Sequence, residues 1–296
     1  MPAHRESAVL RGWNVGFPGW RRLRVGPDLS DEADRANSFH WGDSMMKQNF
    51  VLVHGSWHGG RCWNNVAALL ERQGHHVETP DLPGRGADQT PASGLTLKDY
   101  VDRVGGVVAA QSSPVVLVGH SMGGIVITQL AEEMPDLVQA LVYLAAFLPN
   151  NGQTLIELAQ QDTESRLGPN LVIREDQGDH VVRQEVVREI FYHDCGEEDA
   201  ARAIARLVPE PLAPVMTPVK TTDQRFGRVP SFYVTTLRDR AISPAQQRRM
   251  YTAMPCRAVI AMDTGHSPFL SAPEALASHL HGIVASASEP VATAQA

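Results

Sequence analysis

From position 49 onward, short continuous apolar runs alternate with stretches whose apolar residues recur every three or four positions. Phe50-Val51-Leu52-Val53 reads as a buried strand, and residues 66–73 read as a helix that Gly74 stops. Residues 76–79 predict a second strand. A loop, Pro80-Asp81-Leu82-Pro83-Gly84-Arg85-Gly86, precedes a helix that opens at Leu95-Thr96 and carries Val101, Val104 and Val108. Further strands are predicted over 115–118, 138–145, 231–236 and 259–262, with helices after the third strand, over 244–254 and over 273–281. Strands apolar on both faces are buried on both faces, so the pattern predicts an α/β fold with a mainly parallel sheet flanked by helices.

Residues 147–222 break this rhythm. They carry helix-like segments at 154–161, 181–191 and 197–207 and a proline-rich run at 209–214, while 170–174 and 181–182 offer a small hairpin. An insertion at this point reads as a helical cap over residues 49–146 and 223–284; a separate helical domain is the alternative. Residues 1–48 show no sustained period and are expected to form a disordered leader, the functional fold starting near Met45 and Met46. Arg21-Arg22 is not followed by an apolar segment and so is no export signal. Residues 285–296 read as a flexible tail.

With 296 residues, 43% of them hydrophobic, the chain suffices for one large α/β domain with an insertion. A net charge of −7 without a basic stripe argues against nucleic-acid binding. No apolar run approaches the length that spans a bilayer, so no membrane partner is expected. Three scattered cysteines, Cys62, Cys195 and Cys256, form neither a disulfide framework nor a thiolate metal site. A cytoplasmic location is the expectation, and a homodimer is compatible with the sequence.

The chemistry concentrates at Gly119-His120-Ser121-Met122-Gly123-Gly124, between an apolar strand and an apolar helix. A serine on so sharp a strand-to-helix turn is held with its hydroxyl exposed at a helix N-terminus, where free N–H groups favour developing negative charge. Such a hydroxyl needs a base, and the base needs an orienting acid. His266 follows the last strand and is the candidate base. Asp239, after the strand at 231–236, gives the order nucleophile, acid, base; Asp263 is the competitor on the histidine's own loop. The oxyanion donors are expected at the amides of Met122 and of Ser56, in the loop His54-Gly55-Ser56-Trp57-His58-Gly59-Gly60. His54 and His58 have no third histidine or carboxylate near them, so no metal and no cofactor is expected.

Together, residues 50–59, 119–124 and 264–271, with Phe191-Tyr192-His193-Asp194-Cys195 and Leu207-Val208-Pro209-Glu210-Pro211, resemble the α/β-hydrolases. Within them the resemblance is to the plant methylesterase and hydroxynitrile lyase family with its bacterial esterase relatives, over residues 49–284. It implies a capped hydrolase with a Ser121–Asp239–His266 triad and no metal. Lyases of this family carry a threonine after the first histidine of the oxyanion loop and a lysine after the catalytic histidine. Gly55 and Ser267 stand there, which points to the esterase branch.

The expected function is a serine carboxylesterase acting on a small acyl or aryl ester, methyl esters included. Gly55, Trp57 and His120, with the aromatics Phe147, Phe191, Tyr192 and Phe226, are the candidate pocket residues. Two alternatives stand beside it: a natural-product enzyme that uses the triad for cyclisation, elimination or acyl transfer, and a ligand receptor on the same fold.

Overall fold

The structure, a computed structural model, describes residues 47–287; the expectations for the leader before position 47 and for residues 288–296 lie outside the described residues. The first half of the core runs β1 (Asn49–Val53), α1 (Asn64–Arg72), β2 (His76–Glu78), α2 (Leu97–Ala109), β3 (Val115–His120), α3 (Gly123–Glu133) and β4 (Val138–Leu144). The insertion then contributes α4 (Leu155–Gln160), β5 (Leu171–Arg174), β6 (Asp179–Val182), α5 (Val187–Phe191), α6 (Glu197–Ile204), β7 (Glu210–Pro211) and α7 (Leu212–Met216). The core closes with β8 (Ser231–Thr236), α8 (Pro244–Ala253), β9 (Ala258–Met262), α9 (Pro268–Ser271) and α10 (Pro273–Ala287).

Six parallel strands lie in the order β2-β1-β3-β4-β8-β9. Alternate side chains divide between two apolar layers, which is why the strands read as unbroken hydrophobic runs. Val51, Val53, Leu117, Tyr143 and Tyr233 face α2, α3 and α8. Phe50, Leu52, Val118, Val142 and Val234 face α1 and α10. Local chemistry agrees with the packing: Thr96 Oγ1 accepts the Asp99 N–H and Asp99 Oδ2 accepts the Thr96 N–H, a reciprocal cap that starts α2.

Two expectations are corrected. α10 continues to Ala287 and takes in the first residues of the expected tail, because Leu276, Ala277, Leu280, Ile283 and Val284 all pack under the sheet. Residues 181–191 are not one helix. Val181 and Val182 belong to β6, which hydrogen-bonds β5 on one side and β7 on the other, so its backbone is satisfied as a strand. The inserted segment thus adds a three-stranded antiparallel sheet to its helices.

The winding of the large sheet reverses at β1 and β3, from which the chain proceeds in opposite directions. Loops at the carboxyl ends of adjacent strands diverge at such a point and leave a crevice. The loop after β1 and the turn after β3 are the two that carry the candidate oxyanion donors.

Candidate active site

Ser121 sits at φ 53°, in the left-handed region, on the turn between β3 and α3. That conformation costs a non-glycine residue about 1–2 kcal/mol. It is held by three backbone bonds: Ser121 N–H to Leu144 O at 3.2 Å, and Phe147 N–H and Gly124 N–H to Ser121 O, both at 3.1 Å. Its neighbours must be glycine, because a Cβ on Gly119 would meet Gly123 O at 2.7 Å and one on Gly124 would meet Phe147 O at 2.0 Å.

His266, fully buried, hydrogen-bonds Asp239 Oδ2 through Nδ1 at 2.8 Å. A carboxylate oxygen only accepts, so Nδ1 carries the hydrogen and Nε2 is left with its lone pair. The acid is itself locked. Oδ2 also accepts from Thr236 Oγ1 at 2.9 Å and Gln247 Nε2 at 3.0 Å, while Oδ1 accepts the N–H groups of Ala241 and Ile242 at 2.7 and 3.0 Å. Asp263 is not part of this: its side chain is 78% exposed and pairs with Arg238 at 3.0 Å.

His120 joins the serine turn to the histidine loop. Its Nε2–H donates to His266 O at 2.9 Å, and the two rings lie 4.6 Å apart. Burial and the neighbouring His266 hold His120 well below the ordinary imidazole range, so it is neutral. On the other side, a Cβ on Gly55 would lie 2.8 Å from Ser121 Cβ, so the loop after β1 packs directly on the serine.

That loop is built from peptide planes fixed one by one. Leu82 N–H donates to His54 Nε2 at 3.1 Å, so His54 Nδ1 carries its hydrogen and donates to Gly55 O at 2.9 Å. In a trans peptide the following N–H points opposite to the carbonyl, so the Ser56 amide faces away from His54. His58 Nδ1–H donates to Ser56 O at 2.7 Å, while its Nε2 accepts from Tyr192 Oη at 2.7 Å. Burial lowers both histidines to about 4, consistent with neutral rings. The amides of Ser56 and Met122 donate to no acceptor among the described residues, although Ser56 and Met122 are buried. Buried N–H groups without a partner are rare in folded proteins.

Of the candidate pocket residues, Phe191 stacks obliquely on His266 with centroids 5.6 Å apart and reaches Trp57 at the same distance. Tyr192 holds His58, and Phe147 is tied by its backbone to Ser121. Phe226 N–H donates to Glu132 Oε2 at 3.1 Å, near the C-terminal end of α3, and Phe226 belongs to the core layer that faces α2, α3 and α8. A cavity of about 540 Å³ opens beside the site, walled by His58, Cys62, Leu207, Phe269 and Leu270, and none of the seven candidate pocket residues lines it. His58 and Phe269 separate it from His120, at ring distances of 6.1 and 4.9 Å. Among the described residues no three metal-ligating side chains converge.

Gln247 escaped the sequence reading, and Asp194 and Glu210 entered it only as members of motifs, without a role at the site. Asp194 and Glu210 meet their partners, Gly265 and Trp57, across 71 and 153 residues, while Gln247 reaches Asp239 from within α8, and no local pattern marks these roles.

Comparison with known proteins decides the family. The model for "Alpha/beta hydrolase family" matches residues 50–279, more than three quarters of the sequence. The chain belongs to the alpha/beta hydrolases. Among individual relatives of this hydrolase, the pyrethroid hydrolase of Sphingobium wenxiniae is 31% identical over 246 residues, covering 79% of this chain and 86% of its own. The putative chloroplastic methylesterase 11 of Arabidopsis thaliana is 29% identical over 253 residues; the match takes in 79% of this chain but only 63% of that protein. Tomato methylketone synthase I, solved with 2-tridecanone, superposes with a TM-score of 0.75 at 22% identity, covering 82% of this chain and all of that one, a likeness of fold alone.

Proposed function

We propose that the hydrolase is a serine carboxylesterase for small acyl or aryl esters, with Ser121 as nucleophile, His266 as base and Asp239 as orienting acid. The observation that carries this reading is the pair of unpartnered buried amides, Ser56 and Met122, flanking a serine held on a left-handed turn. Ser121 Oγ attacks the ester carbonyl while His266 Nε2 takes its proton, and the two amides hold the oxyanion. His266 then protonates the leaving alcohol, and a water activated by the same nitrogen releases the acid from the acyl-enzyme. Each oxyanion donor of this kind supplies on the order of 10²–10³ in rate. The sequence kinship with a pyrethroid hydrolase and methylesterases supports an ester substrate.

Lyase chemistry is disfavoured by the local packing. Ser267 is fully buried and its hydroxyl has no partner, so a lysine there has no room for a hydrated ammonium. A side chain at Gly55 would press on Ser121 Cβ.

The deciding experiment is hydrolysis of p-nitrophenyl acetate, p-nitrophenyl butyrate and aryl methyl esters by the protein and its Ser121→Ala variant. Turnover that disappears in the variant is the expected result. Turnover that survives in the variant, or a folded wild type inert toward the whole series, overturns the reading.

A further inference from the structure

Trp57, in the loop that bears the Ser56 amide, adopts φ 63°, a left-handed conformation that a bulky residue takes only when its surroundings impose it. Its constraints come from the inserted segment. Trp57 O accepts the Val208 N–H at 3.0 Å, the indole Nε1–H donates to His180 O at 3.1 Å, and the backbone N–H donates to Glu210 Oε2 at 3.0 Å. Together these three bonds take up the donors and acceptor that the residue owns.

Glu210 is the unusual member. Its carboxylate is completely buried, yet it is saturated with donors: Trp57 N–H and Arg85 Nε–H (3.2 Å) on Oε2, and Tyr100 Oη–H (2.8 Å) on Oε1. Arg85, equally buried, spends its remaining nitrogens on Gly84 O at 2.8 Å and Tyr100 Oη at 3.1 Å. Arg85 and Tyr100 belong to the core, and Glu210 belongs to β7. A buried ion pair of this kind adds little stability over apolar packing but fixes geometry where every donor is met.

We propose that Glu210 is a positioning residue for the oxyanion hole. Its carboxylate holds the Trp57 N–H, and His58 holds the carbonyl at the other end of the same Ser56–Trp57 peptide. With that plane fixed from both sides and the Gly55–Ser56 plane fixed by His54, Ser56 is held on both of its peptides, and its N–H keeps the direction away from His54. A relaxed Trp57 would free the Ser56–Trp57 peptide and with it the Ser56 Cα, leaving the adjoining Gly55–Ser56 plane, and the donor it bears, held by His54 alone, while Ser121, His266 and Asp239 stay in place. The inserted segment is thereby part of the catalytic geometry and not only a cover. The inference rests on the esterase reading of this site.

The test compares Glu210→Asp with Glu210→Gln. Aspartate keeps the charge that Arg85 requires but draws the oxygen back by one methylene from Trp57. Glutamine keeps an oxygen within reach of the Trp57 N–H and gives up the charge. The expected result is a crossing of the two readouts. Glu210→Asp loses about 10- to 100-fold in kcat on p-nitrophenyl butyrate with KM nearly unchanged, since one donor acts mainly in the transition state. Glu210→Gln keeps kcat within about fivefold while its thermal midpoint falls further than that of the aspartate variant. Activity that ranks with stability, wild-type kcat in a folded Glu210→Asp, or a change confined to KM overturns the proposal. Amide hydrogen exchange on the wild-type protein gives a reading that no variant can spoil: the Trp57 N–H is expected to be protected like the core strands, and rapid exchange there overturns the proposal. Loss of turnover in Ser121→Ala beside an unaffected Glu210→Asp would reject this inference alone and leave the esterase reading standing.

Discussion

Asp194 Oδ2 accepts the backbone N–H of Gly265 at 2.6 Å, tying the inserted segment to the loop that carries His266. The approach is close enough that a Cβ on Gly265 would lie 2.6 Å from His193 Cε1 and 2.7 Å from Asp194 Oδ1. Gly265→Ala therefore has to displace either the histidine loop or its anchor. The expected outcome is a loss of at least about 10-fold in kcat with a lowered thermal midpoint. A variant with wild-type kinetics and melting would show that this approach places no constraint on His266.

Asp239 receives donors from five groups, so exchanging it for asparagine turns one acceptor oxygen into an amide that faces donors. Asp239→Asn is expected to lower kcat by about 10³–10⁴, the scale found when a triad histidine loses its tautomer-fixing acid. Gln247→Leu removes one of the five donors and is expected to cost about 10-fold. Steady-state kinetics on one p-nitrophenyl ester measures both; a smaller loss in Asp239→Asn than in Gln247→Leu would contradict the assignment.

Acid is expected to unfold the protein earlier than its carboxylates alone would dictate. Burial lowers His54 and His58 to about 4 and His120 further, and each is hydrogen-bonded as a neutral ring. Unfolded, these rings take up protons near pH 6.5; folded, they do so only around 4 or below. The unfolded state therefore binds more protons throughout that window, and stability is lost as the pH falls from 6.5 toward 4. Three such groups contribute at most about 4 kcal/mol per pH unit, a large share of a total stability of roughly 5–15 kcal/mol. Urea midpoints measured at pH 7.5, 6.5, 5.5 and 5.0 should fall steeply below 6.5, and a flat series down to pH 5 would refute the burial of neutral rings.

The three cysteines are expected to resist alkylation in the native protein. Burial, with Asp194 next in order, pushes the Cys195 thiol up to about 12, and burial raises Cys62 and Cys256 as well. A thiol reacts as its thiolate, so little reagent should add at neutral pH. Intact mass after iodoacetamide at pH 7.5 should show no adduct in buffer and three in denaturant; an adduct on the folded protein at any position contradicts this.

Much of this architecture could be read before folding, for identifiable reasons. β8 was legible to the residue, Ser231–Thr236, because an apolar run bounded by proline and a charged loop has one reading. That Ser121, Asp239 and His266 follow β3, β8 and β9 was legible because a parallel sheet gathers its loops at the strands' carboxyl ends. Residues 181–191 carried two readings, one helix or a hairpin strand at 181–182, because valines and isoleucine so spaced suit both; the pairing of Val181 and Val182 with β5 takes the hairpin, and helix remains only at Val187–Phe191. Phe226 is tied by its backbone to Glu132 across 94 residues of chain, a meeting that no local pattern encodes. Glu210 lay within a run of prolines, 153 residues from the Trp57 amide that it accepts, and no periodicity encodes such a meeting.

The pairing of β4 with β8, Leu141 opposite Ser231, has a consequence for how the chain is made. During synthesis β1, β3 and β4 emerge in succession, but the strand that completes the sheet beside β4 follows only after the whole inserted segment. Closing so long a loop is slow, and meanwhile β4 presents an unpaired apolar edge of the kind on which chains aggregate. Asp239 and His266, the proposed acid and base, both lie downstream of that closure, so a nascent chain halted within the insertion holds Ser121 with neither partner yet translated.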